Sequence, residues 1–423
     1  MNRIILIGNG FDLAHGLETG YKQFIDCFWR KIIVEEFNKC GRVENDFLTI
    51  DAGFRYDESV YIPDYQSFKE RLSFSNVQIK FKNNFLKIIS ENLLSKLQNW
   101  VDIEEEYYKL LQKIINKSIP SNEKTYTNIK QLNDDFCRIK KALATYLIEE
   151  TTKGIGGNAI EFVDNTINEN IYSEFELRDF TREGVEQIVN ETIKKAQYCL
   201  ENKDKLEKSA DIDIRTQRLL RLQKKDTDYL REKILDCPKG FFHLIPDSVL
   251  FLNFNYSNTE ELYSKQKYEV SKGVYTTELR INRETIHIHG ELENSGNPII
   301  FGYGDEIGKE YAEIENLNDN EFLENIKSIR YSDTGNYKKL LDYINSDKYQ
   351  IFLFGHSCGL SDRTLLNTLF EHENCVSIKL FYHKKEDGTD NYSDVVRNIS
   401  RHFKDKTLMR SKIVNKEYSK PLS

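Results

Sequence analysis

The stretch Ile4-Ile5-Leu6-Ile7-Gly8-Asn9-Gly10-Phe11-Asp12 decides the fold of this chain. Branched apolar residues break abruptly into Gly-x-Gly, a pattern that predicts a buried parallel strand, a tight turn and then a helix. Dinucleotides and other phosphates bind at such turns, so the pattern indicates a nucleotide site near the N-terminus. The strict dinucleotide motif has a third glycine three residues after the second, whereas the next glycine here is Gly16. A plain turn without a ligand therefore stays open.

Three later segments repeat the pattern of an apolar run that ends in Asn, His or Gly. They span residues 249–257, 285–290 and 350–357, and Asp362 follows shortly after the last. Runs of this kind are typical of parallel strands, whose C-terminal ends lie at one edge of a sheet. Four such ends predict one shared site.

Composition excludes several classes of protein. Hydrophobic residues make up 39% of the 423 positions and charged residues 30%, which indicates a folded chain rather than a disordered one. The net charge of −8 lacks the basic excess usual for proteins that hold nucleic acid through its phosphates. A length well above one average domain predicts two or three domains, or one domain with a large insertion.

The cysteines and the apolar runs indicate the compartment. Seven cysteines occur without a C-x-x-C pair, so neither a zinc site nor a disulfide framework is expected. The apolar run before Gly8 is too short for a signal peptide, and no window approaches the roughly 20 apolar residues of a membrane helix. We therefore expect a cytoplasmic protein without a membrane partner.

The residue pattern in the middle of the chain differs from that at its two ends. Between about residues 57 and 238, strand-like runs vanish and apolar residues recur every three or four positions among Lys and Glu, which predicts amphipathic helices. The fold class expected is α/β, with a mostly parallel Rossmann-like sheet and a large helical insertion. Residues 1–50 form the first strand-helix unit, residues 51–240 the insertion, and residues 241–423 the remainder of the nucleotide-binding domain.

The N-terminal block, from Ile7 through His15 and Tyr21 to Phe24, resembles the opening of the AbiH family, which is associated with bacterial abortive infection against phage. Segments of the kind that family carries recur at 100–106, 254–259, 288–290 and 355–357. The likeness spans most of the chain, and its N-terminal block is the most specific part. It implies an antiphage effector.

The order of the motifs also resembles the wider sirtuin-like fold, in which Gly-Ala-Gly, Thr-x-Asn, His-Gly and Gly-x-Ser follow one another. By that likeness Gly8 and Gly10 lie on the phosphate-approach loop, Asn255 faces the nicotinamide ribose and His289 is the catalytic histidine. Two features depart from the pattern. Asp12 brings a negative charge close to the expected pyrophosphate, and the zinc module of paired C-x-x-C motifs is missing, which speaks against a protein deacetylase.

Cleavage of the bond between nicotinamide and ribose suits these residue types. The transition state is oxocarbenium-like and the leaving group is already cationic, so positioning and a base suffice. Asn255 supplies an amide for a ribose hydroxyl or a water, and His289 supplies the base. The resemblance therefore implies NAD as the substrate. The residues expected to bind the nucleotide are Gly8, Asn9, Gly10, Phe11, Asp12, His15, Asn253, Tyr256, Gly355, His356, Ser357 and Asp362.

Other interpretations stay open beside this one. Asn255 also suits a helix cap, because Ser257, Asn258 and Thr259 favour helix starts. His287 and His289 alternate on one strand, a metal-ligand geometry that Asp12, Asp305 or Asp362 would complete in a metal-dependent nucleotide or nucleic-acid hydrolase. No metal ligand is assigned.

Two more segments have competing interpretations. Residues 355–359, Gly-His-Ser-x-Gly, match the nucleophile elbow of α/β-hydrolases, although the chain after Ser357 is short for that fold. Residues 100–106 are acidic on a predicted helix, which suggests a solvated face. Asp102 and Glu105 lie three positions apart, so if this helix covers the nucleotide crevice, their carboxylates could instead position substrate or mediate inhibition.

The partners expected are a nucleotide ligand and, from the family likeness, a phage-derived trigger. Self-association into a homo-oligomer is an open alternative. The runner-up function is a sensor or assembly protein that binds a nucleotide without turnover.

Overall fold

The structure, a computed structural model, describes residues 1–53, 61–72, 77–93, 100–116, 126, 128–156, 165–208, 214–236, 244–264, 268–272, 275–279 and 281–422. Strands among these residues are β1 (Asn2–Ile7), β2 (Arg42–Glu44), β3 (Leu48–Asp51), β4 (Gln78–Phe81), β5 (Ser248–Asn253), β6 (Tyr268–Lys272), β7 (Tyr275–Leu279), β8 (Asn282–His287), β9 (Tyr349–Phe354), β10 (Cys375–Tyr382) and β11 (Lys420–Pro421).

The helices lie mostly between β3 and β5 and after β8. They are α1 (Asn9–Ala14), α2 (Tyr21–Arg30), α3 (Asn38–Cys40), α4 (Tyr65–Leu72), α5 (Asn84–Leu93), α6 (Trp100–Ile115), α7 (Ile129–Gly156), α8 (Asn165–Ile171), α9 (Arg182–Glu201), α10 (Lys203–Leu206), α11 (Ile214–Leu219), α12 (Thr227–Asp236), α13 (Glu261–Ser264), α14 (Lys309–Asn316), α15 (Lys327–Arg330), α16 (Asn336–Ser346), α17 (Arg363–Glu371), α18 (Tyr392–His402) and α19 (Lys406–Lys412). A π-helix spans Lys31–Phe37, and 3₁₀ turns span Leu177–Asp179, Asn320–Leu323, Leu360–Asp362 and Lys416–Tyr418.

The central sheet has six strands in the order β11-β10-β9-β1-β5-β8, and every pairing is parallel. Every residue of β1, β5 and β9 is buried, as expected for parallel strands covered on both faces. Along the chain, this order is the 3-2-1-4-5-6 arrangement of doubly wound dinucleotide-binding folds. The predicted α/β class with a parallel Rossmann-like sheet is confirmed.

The strand order has one functional consequence. After β1 the chain moves outward to β5 and β8, then crosses back to β9 and continues to β10 and β11 on the other side. The crevice between the carboxyl ends of β1 and β9 is therefore the topological switch point, where ligands bind in open α/β sheets.

The segment between β3 and β5 packs as two bodies. Its first part, through α7, shares an apolar core with α2, the π-helix and a small antiparallel sheet of β2, β3 and β4. Trp29 anchors that core and stacks on Tyr65 with 4.0 Å between ring centroids. Its second part, from α8 to α12, packs against the opposite side of the molecule, where Ile171 and Tyr172 join the apolar residues beneath the sheet.

The insertion, which the sequence predicts to be helical, also contributes one strand to the small sheet. β3 ends at Asp51, so the first predicted unit finishes inside this sheet, and β4 lies within 51–240. Gln78-Ile79-Lys80-Phe81 alternates exposed and half-buried positions, but a four-residue strand is too short to stand out from neighbouring helical periodicity.

Candidate functional site

A cavity of about 620 Å³ lies along the carboxyl edge of the parallel sheet. Its floor comes from the residues that follow β1, β5, β8 and β9 and from the end of β10, and α6 and α7 of the insertion cover it with Glu104, Leu147 and Thr151. Eleven of the predicted site residues line it: Gly8, Asn9, Gly10, Asp12, Asn255, Tyr256, His289, Gly355, His356, Ser357 and Asp362. The strand ends therefore meet at one cavity, as the sequence pattern predicts.

The loops after β1 and β9 touch each other across the switch point. The backbone N–H of Gly8 donates to the carbonyl of Phe354 at 3.0 Å, and that of Gly10 donates to the carbonyl of Gly355 at 2.9 Å. A Cβ at Gly10 would lie 2.9 Å from the Gly355 Cα, and Gly355 itself has φ +72°. The glycines are thus needed for this loop-to-loop contact, and two N–H groups of the Gly-x-Gly turn already have backbone partners.

Asp12 places a buried carboxylate beside this turn. Its side chain is 2% exposed. Oδ2 accepts hydrogen bonds from the hydroxyls of Ser257, at 2.5 Å, and Thr19, at 3.3 Å. Oδ1 is buried, and Thr259 and Asn255 also hydrogen-bond to this carboxylate. Burial raises the pKa of Asp12, and the Ser257 hydroxyl offsets part of this effect.

Asn255 reaches the cavity from the loop after β5. Its amide donates to the carbonyl of Gly8 at 3.1 Å, which ties this loop to the Gly-x-Gly turn. Its N–H donates to Oδ1 of Asn253 at 2.8 Å, and the Asn253 amide donates to Glu260 at 2.6 Å. Asn253 therefore lies beneath the cavity and shapes the loop. The next helix, α13, begins only at Glu261, so Asn255 does not cap it.

His289 belongs to a chain of four buried titratable groups. Its Nε2 lies 3.3 Å from Oδ1 of Asp362 and 3.3 Å from the hydroxyl of Tyr331. Asp362 accepts a hydrogen bond from the ammonium of Lys327 at 2.8 Å, and the same ammonium lies 2.8 Å from Glu104. All four side chains are at most 6% exposed. Glu104 comes from α6, so the insertion contributes directly to the site.

Burial and mutual charge set the protonation of this chain. Burial, opposed by Lys327 and reinforced by Asp362, raises the pKa of Glu104 to about 7. Burial also works against ionisation of Asp362, but Lys327 and His289 hold the pKa of Asp362 well below its usual range. Burial and the Lys327 charge lower the pKa of His289 below 6.5. At neutral pH the site therefore holds an ionised Asp362, a charged Lys327 and a neutral His289.

His356 faces the other oxygen of Asp362. Its Nδ1 accepts a hydrogen bond from the N–H of Cys358 at 3.0 Å, so the proton of the neutral ring is on Nε2, which lies 3.6 Å from Asp362 Oδ2. Burial lowers the pKa of His356 to about 4. The ring of Phe254 packs edge-on against both His356 and His289. His356 thus helps to fix the orientation of Asp362.

Three predicted residues lie outside the cavity lining. Phe11 is fully buried in the core beneath the sheet. The ring nitrogens of His15 contact the carbonyl of Phe11 at 2.7 Å and the hydroxyl of Tyr263 at 2.6 Å. Asn253 supports the loop as described. These three side chains pack behind the loops that line the cavity and do not line it themselves.

The structure bears on two competing interpretations, the metal site at His287 and His289 and the nucleophile elbow at residues 355–359. His287 and His289 have different carboxylate partners: His287 Nε2 lies 2.8 Å from Glu260, while His289 faces Asp362. In the described part of the chain, no group of three or more His, Cys, Asp and Glu side chains is arranged to hold a metal ion. Within residues 355–359 the backbone is left-handed at Gly355, with φ +72°, and at Cys358, with φ +54°, but not at Ser357.

The acidic segment, residues 100–106, has a partly exposed side and an inward-facing side. The side chain of Asp102 lies outside the described residues, and Glu105 pairs with Lys109 at 2.9 Å on the partly exposed side of α6. Glu104, which was not singled out, faces inward together with Tyr107, Tyr108 and Leu111. That i, i+3, i+4, i+7 spacing was the available signal. Lys327 carries no comparable local signal.

One of three comparisons with known proteins finds a match for this chain. A family model described as bacteriophage abortive infection AbiH matches residues 4–384. No curated protein and no solved structure matches the chain. The matched range includes all four strand ends, the covering helices and all the residues that line the cavity except Asn391, Val395 and Leu422. In the part of the chain described here, no helix is long and apolar enough to cross a membrane.

Proposed function

The chain belongs to the AbiH family of bacteriophage abortive infection proteins, and from this premise we propose that it is an effector that hydrolyses NAD at the bond between nicotinamide and ribose. Family membership supplies the role in abortive infection against phage. The chemistry is inferred from the cavity.

One observation carries the proposal. Asn255 and His289, the two residue types that the reaction needs, are both buried and both line a single cavity at the carboxyl edge of a Rossmann-like sheet. Its volume of about 620 Å³ falls in the range of small-molecule sites. Its place at the switch point is where nucleotides bind in folds of this strand order.

The charge of the cavity suits the reaction. Asp12, Glu104 and Asp362 line it, and Lys327 is the cation set between two of them. The ribose gains positive charge as its bond to nicotinamide breaks, so a carboxylate that is ionised at neutral pH, as Asp362 is, stabilises that transition state from the cavity wall. In this scheme Asn255 orients a ribose hydroxyl or the attacking water, and neutral His289, held by Asp362, accepts the proton.

The test is nicotinamide release from NAD by the purified protein, with and without phage lysate as a trigger. Asn255→Ala and His289→Ala are each expected to lose about 10²- to 10⁴-fold in rate, the usual contribution of a general base or positioning group. Matched controls are Asn258→Ala, an exposed asparagine three residues further along the same loop, and His372→Ala, outside the cavity. Both controls should keep the wild-type rate. Absence of release under every condition, with no NAD-dependent shift in melting temperature, would exclude NAD hydrolysis.

Binding without turnover is the second candidate, and the placement of His289 favours it. Its Nε2 is shared between Asp362 and Tyr331, and the ring also hydrogen-bonds to the backbone of Phe254, so the imidazole already has partners within the protein. A sensor would keep nucleotide binding in His289→Ala and would show unchanged toxicity in cells. An enzyme would lose toxicity in the same variant.

A further inference from the structure

The cavity has two chemically different ends. The end beyond β5 and β8 holds Asn255, His289 and the buried charge chain. The opposite end is formed by residues from β10, from α18 and from the stretch after β11, among them Leu380, Val395 and Leu422. Within the described lining, this second end contributes no carboxylate and no ammonium or guanidinium group. The two ends therefore suit different parts of one ligand.

The second end is mostly apolar. Leu380, Val395 and Leu422 are at most 9% exposed. The half-buried ring of Tyr382 joins them in the lining and packs edge-on against Tyr392, with 6.1 Å between ring centroids. Aliphatic walls with an aromatic ring and a few polar groups are typical of small-molecule sites, and the flat faces of nitrogen bases pack well on such surfaces.

Asn391 brings a hydrogen-bond donor to this end, and its amide is held in one orientation. Its Oδ1 accepts a hydrogen bond from the backbone N–H of His383 at 2.7 Å, and its own backbone N–H donates to the carbonyl of His383 at 3.2 Å. A backbone N–H can only donate, so the amide oxygen is fixed on that side and Nδ2 is presented on the other. Nδ2 has no hydrogen-bond partner among the described residues and is not one of the enclosed polar atoms. It is therefore open to a ligand.

The strand order places this end across the switch point from the proposed reaction centre. β1 and β9 lie between β5, which precedes Asn255, and β10, so the two ends are about 14 Å apart at about 4.8 Å per strand. NAD joins two nucleosides through a diphosphate. A molecule whose nicotinamide ribose lies at Asn255 therefore extends its second nucleoside toward β10.

We propose that the β10–β11 end of the cavity binds the second base of the dinucleotide, adenine, and that the Asn391 amide donates a hydrogen bond to a ring nitrogen of this base. The assignment rests on the proposed NAD function. Asn391, Val395 and Leu422 lie beyond residue 384, where the match to the AbiH family model ends. Selection of the base is thus a property of these residues that family membership does not imply.

Binding of AMP and of ribose 5-phosphate tests the base site without turnover, because neither contains the nicotinamide bond. The two ligands carry the same sugar phosphate and differ by the base. The full-length wild type should bind AMP at least about tenfold more tightly in calorimetric titration, since the base is buried against apolar side chains. Equal affinities, or failure of AMP to bind, would overturn the base site whether or not nicotinamide is released from NAD.

Asn391→Asp isolates the hydrogen bond. The carboxylate keeps an oxygen for the His383 N–H and replaces the presented donor with an acceptor, so the preference for AMP over ribose 5-phosphate should fall about fivefold or more. The matched control is Asn45→Asp, which adds the same charge at a half-buried asparagine outside the cavity whose Oδ1 accepts from the N–H of Phe47 at 2.9 Å. The control should keep the full preference. An intact preference in Asn391→Asp overturns the role given to Asn391.

Two measurements on the wild type cover the case in which Asn391→Asp fails to fold. Of three AMP analogues in which carbon replaces ring nitrogen 1, 3 or 7, one should bind about fivefold more weakly than AMP; equal binding of all three contradicts the donor role. Nicotinamide release from nicotinamide mononucleotide, which lacks adenine, should have a kcat/KM at least about tenfold below that for NAD. Equal values overturn the base site and leave hydrolysis standing, whereas no release from either compound, with the AMP preference retained, removes hydrolysis and supports the base site.

Discussion

Lys327→Met is the most direct probe of the buried charge chain. The substitution removes the ammonium that lies 2.8 Å from both Glu104 and Asp362 while it keeps most of the side-chain volume. Two carboxylates, 5% and 6% exposed, are then left facing each other without a cation. Breaking a buried ion pair by removal of one partner costs about 3–5 kcal/mol. We expect the free energy of unfolding to fall by that amount at pH 8.

The loss should depend on pH in a defined direction. Glu104 has a pKa of about 7 with Lys327 present, above the usual 4.5. For a carboxyl whose folded-state pKa is raised, the folded state binds the proton more tightly, so stability falls as pH rises through that pKa. Without Lys327 the pKa of Glu104 rises further. At pH 6 protonated Glu104 no longer repels Asp362, and the cost of Lys327→Met should be smaller than at pH 8.

Urea unfolding at pH 6 and pH 8 measures both effects. Lys109→Met is the matched control, because Lys109 lies on α6 with Glu104 but pairs with Glu105 at the surface, where both side chains are at least 40% exposed. That pair is worth about 0.3–0.5 kcal/mol. The reasoning is refuted if Lys327→Met costs no more than Lys109→Met at pH 8, or if its cost grows on acidification.

Three further outcomes follow from the site. The free energy of unfolding of the wild type should fall between about pH 5 and 8 as Glu104 ionises. Glu104→Gln removes this ionisation, so urea unfolding should show a smaller fall over this range and a free energy of unfolding at pH 8 that is higher than in the wild type by at most about 3 kcal/mol. An unchanged dependence on pH contradicts the raised pKa of Glu104. Gly10→Ala should lower the free energy of unfolding by about 1–3 kcal/mol and weaken nucleotide binding, because the added Cβ would lie 2.9 Å from Gly355. Gly16→Ala, at φ +76° with open space around it, should lower the free energy of unfolding by about 1 kcal/mol and leave nucleotide binding unchanged. In Glu104→Gln, which removes the carboxyl that titrates near pH 7, the rate of nicotinamide release should be level from pH 7 to 8 and fall only below pH 6.5, because the lowered pKa keeps His289 neutral until then; a fall that begins above pH 7 in this variant would exclude His289 as the base.

The strand ends could be predicted because their signal is local. Each apolar run and the polar residue that ends it are adjacent in sequence, and parallel strands must end at a common edge. Asn255, His289 and Asp362 were found in this way, although nothing in the sequence gives the strand order that brings β9 next to β1. NAD as the ligand stays a prediction, as does the likeness to sirtuins.

Glu104 and Lys327 were missed for a different reason. They are 223 residues apart, and each is explained only by the other. A glutamate in an acidic run is normally solvated, and the inward face of α6 shows only when its apolar neighbours are counted with it. Lys327 lies in a polar stretch where a buried lysine has no periodic signature. Long-range charge pairing of this kind depends on tertiary structure rather than on residue pattern.

The buried chain also limits what single substitutions can reveal. Lys327 holds Asp362 ionised, Asp362 orients His289, and Glu104 shares the same ammonium, so removal of any one group changes the protonation of the others. Effects within such a network are not additive. Loss of rate in a Lys327 variant therefore does not make Lys327 a group that touches substrate. A double-mutant cycle with Lys327→Met and Glu104→Gln separates the two: if Lys327 acts by balancing charge, Glu104→Gln restores part of the stability that Lys327→Met loses.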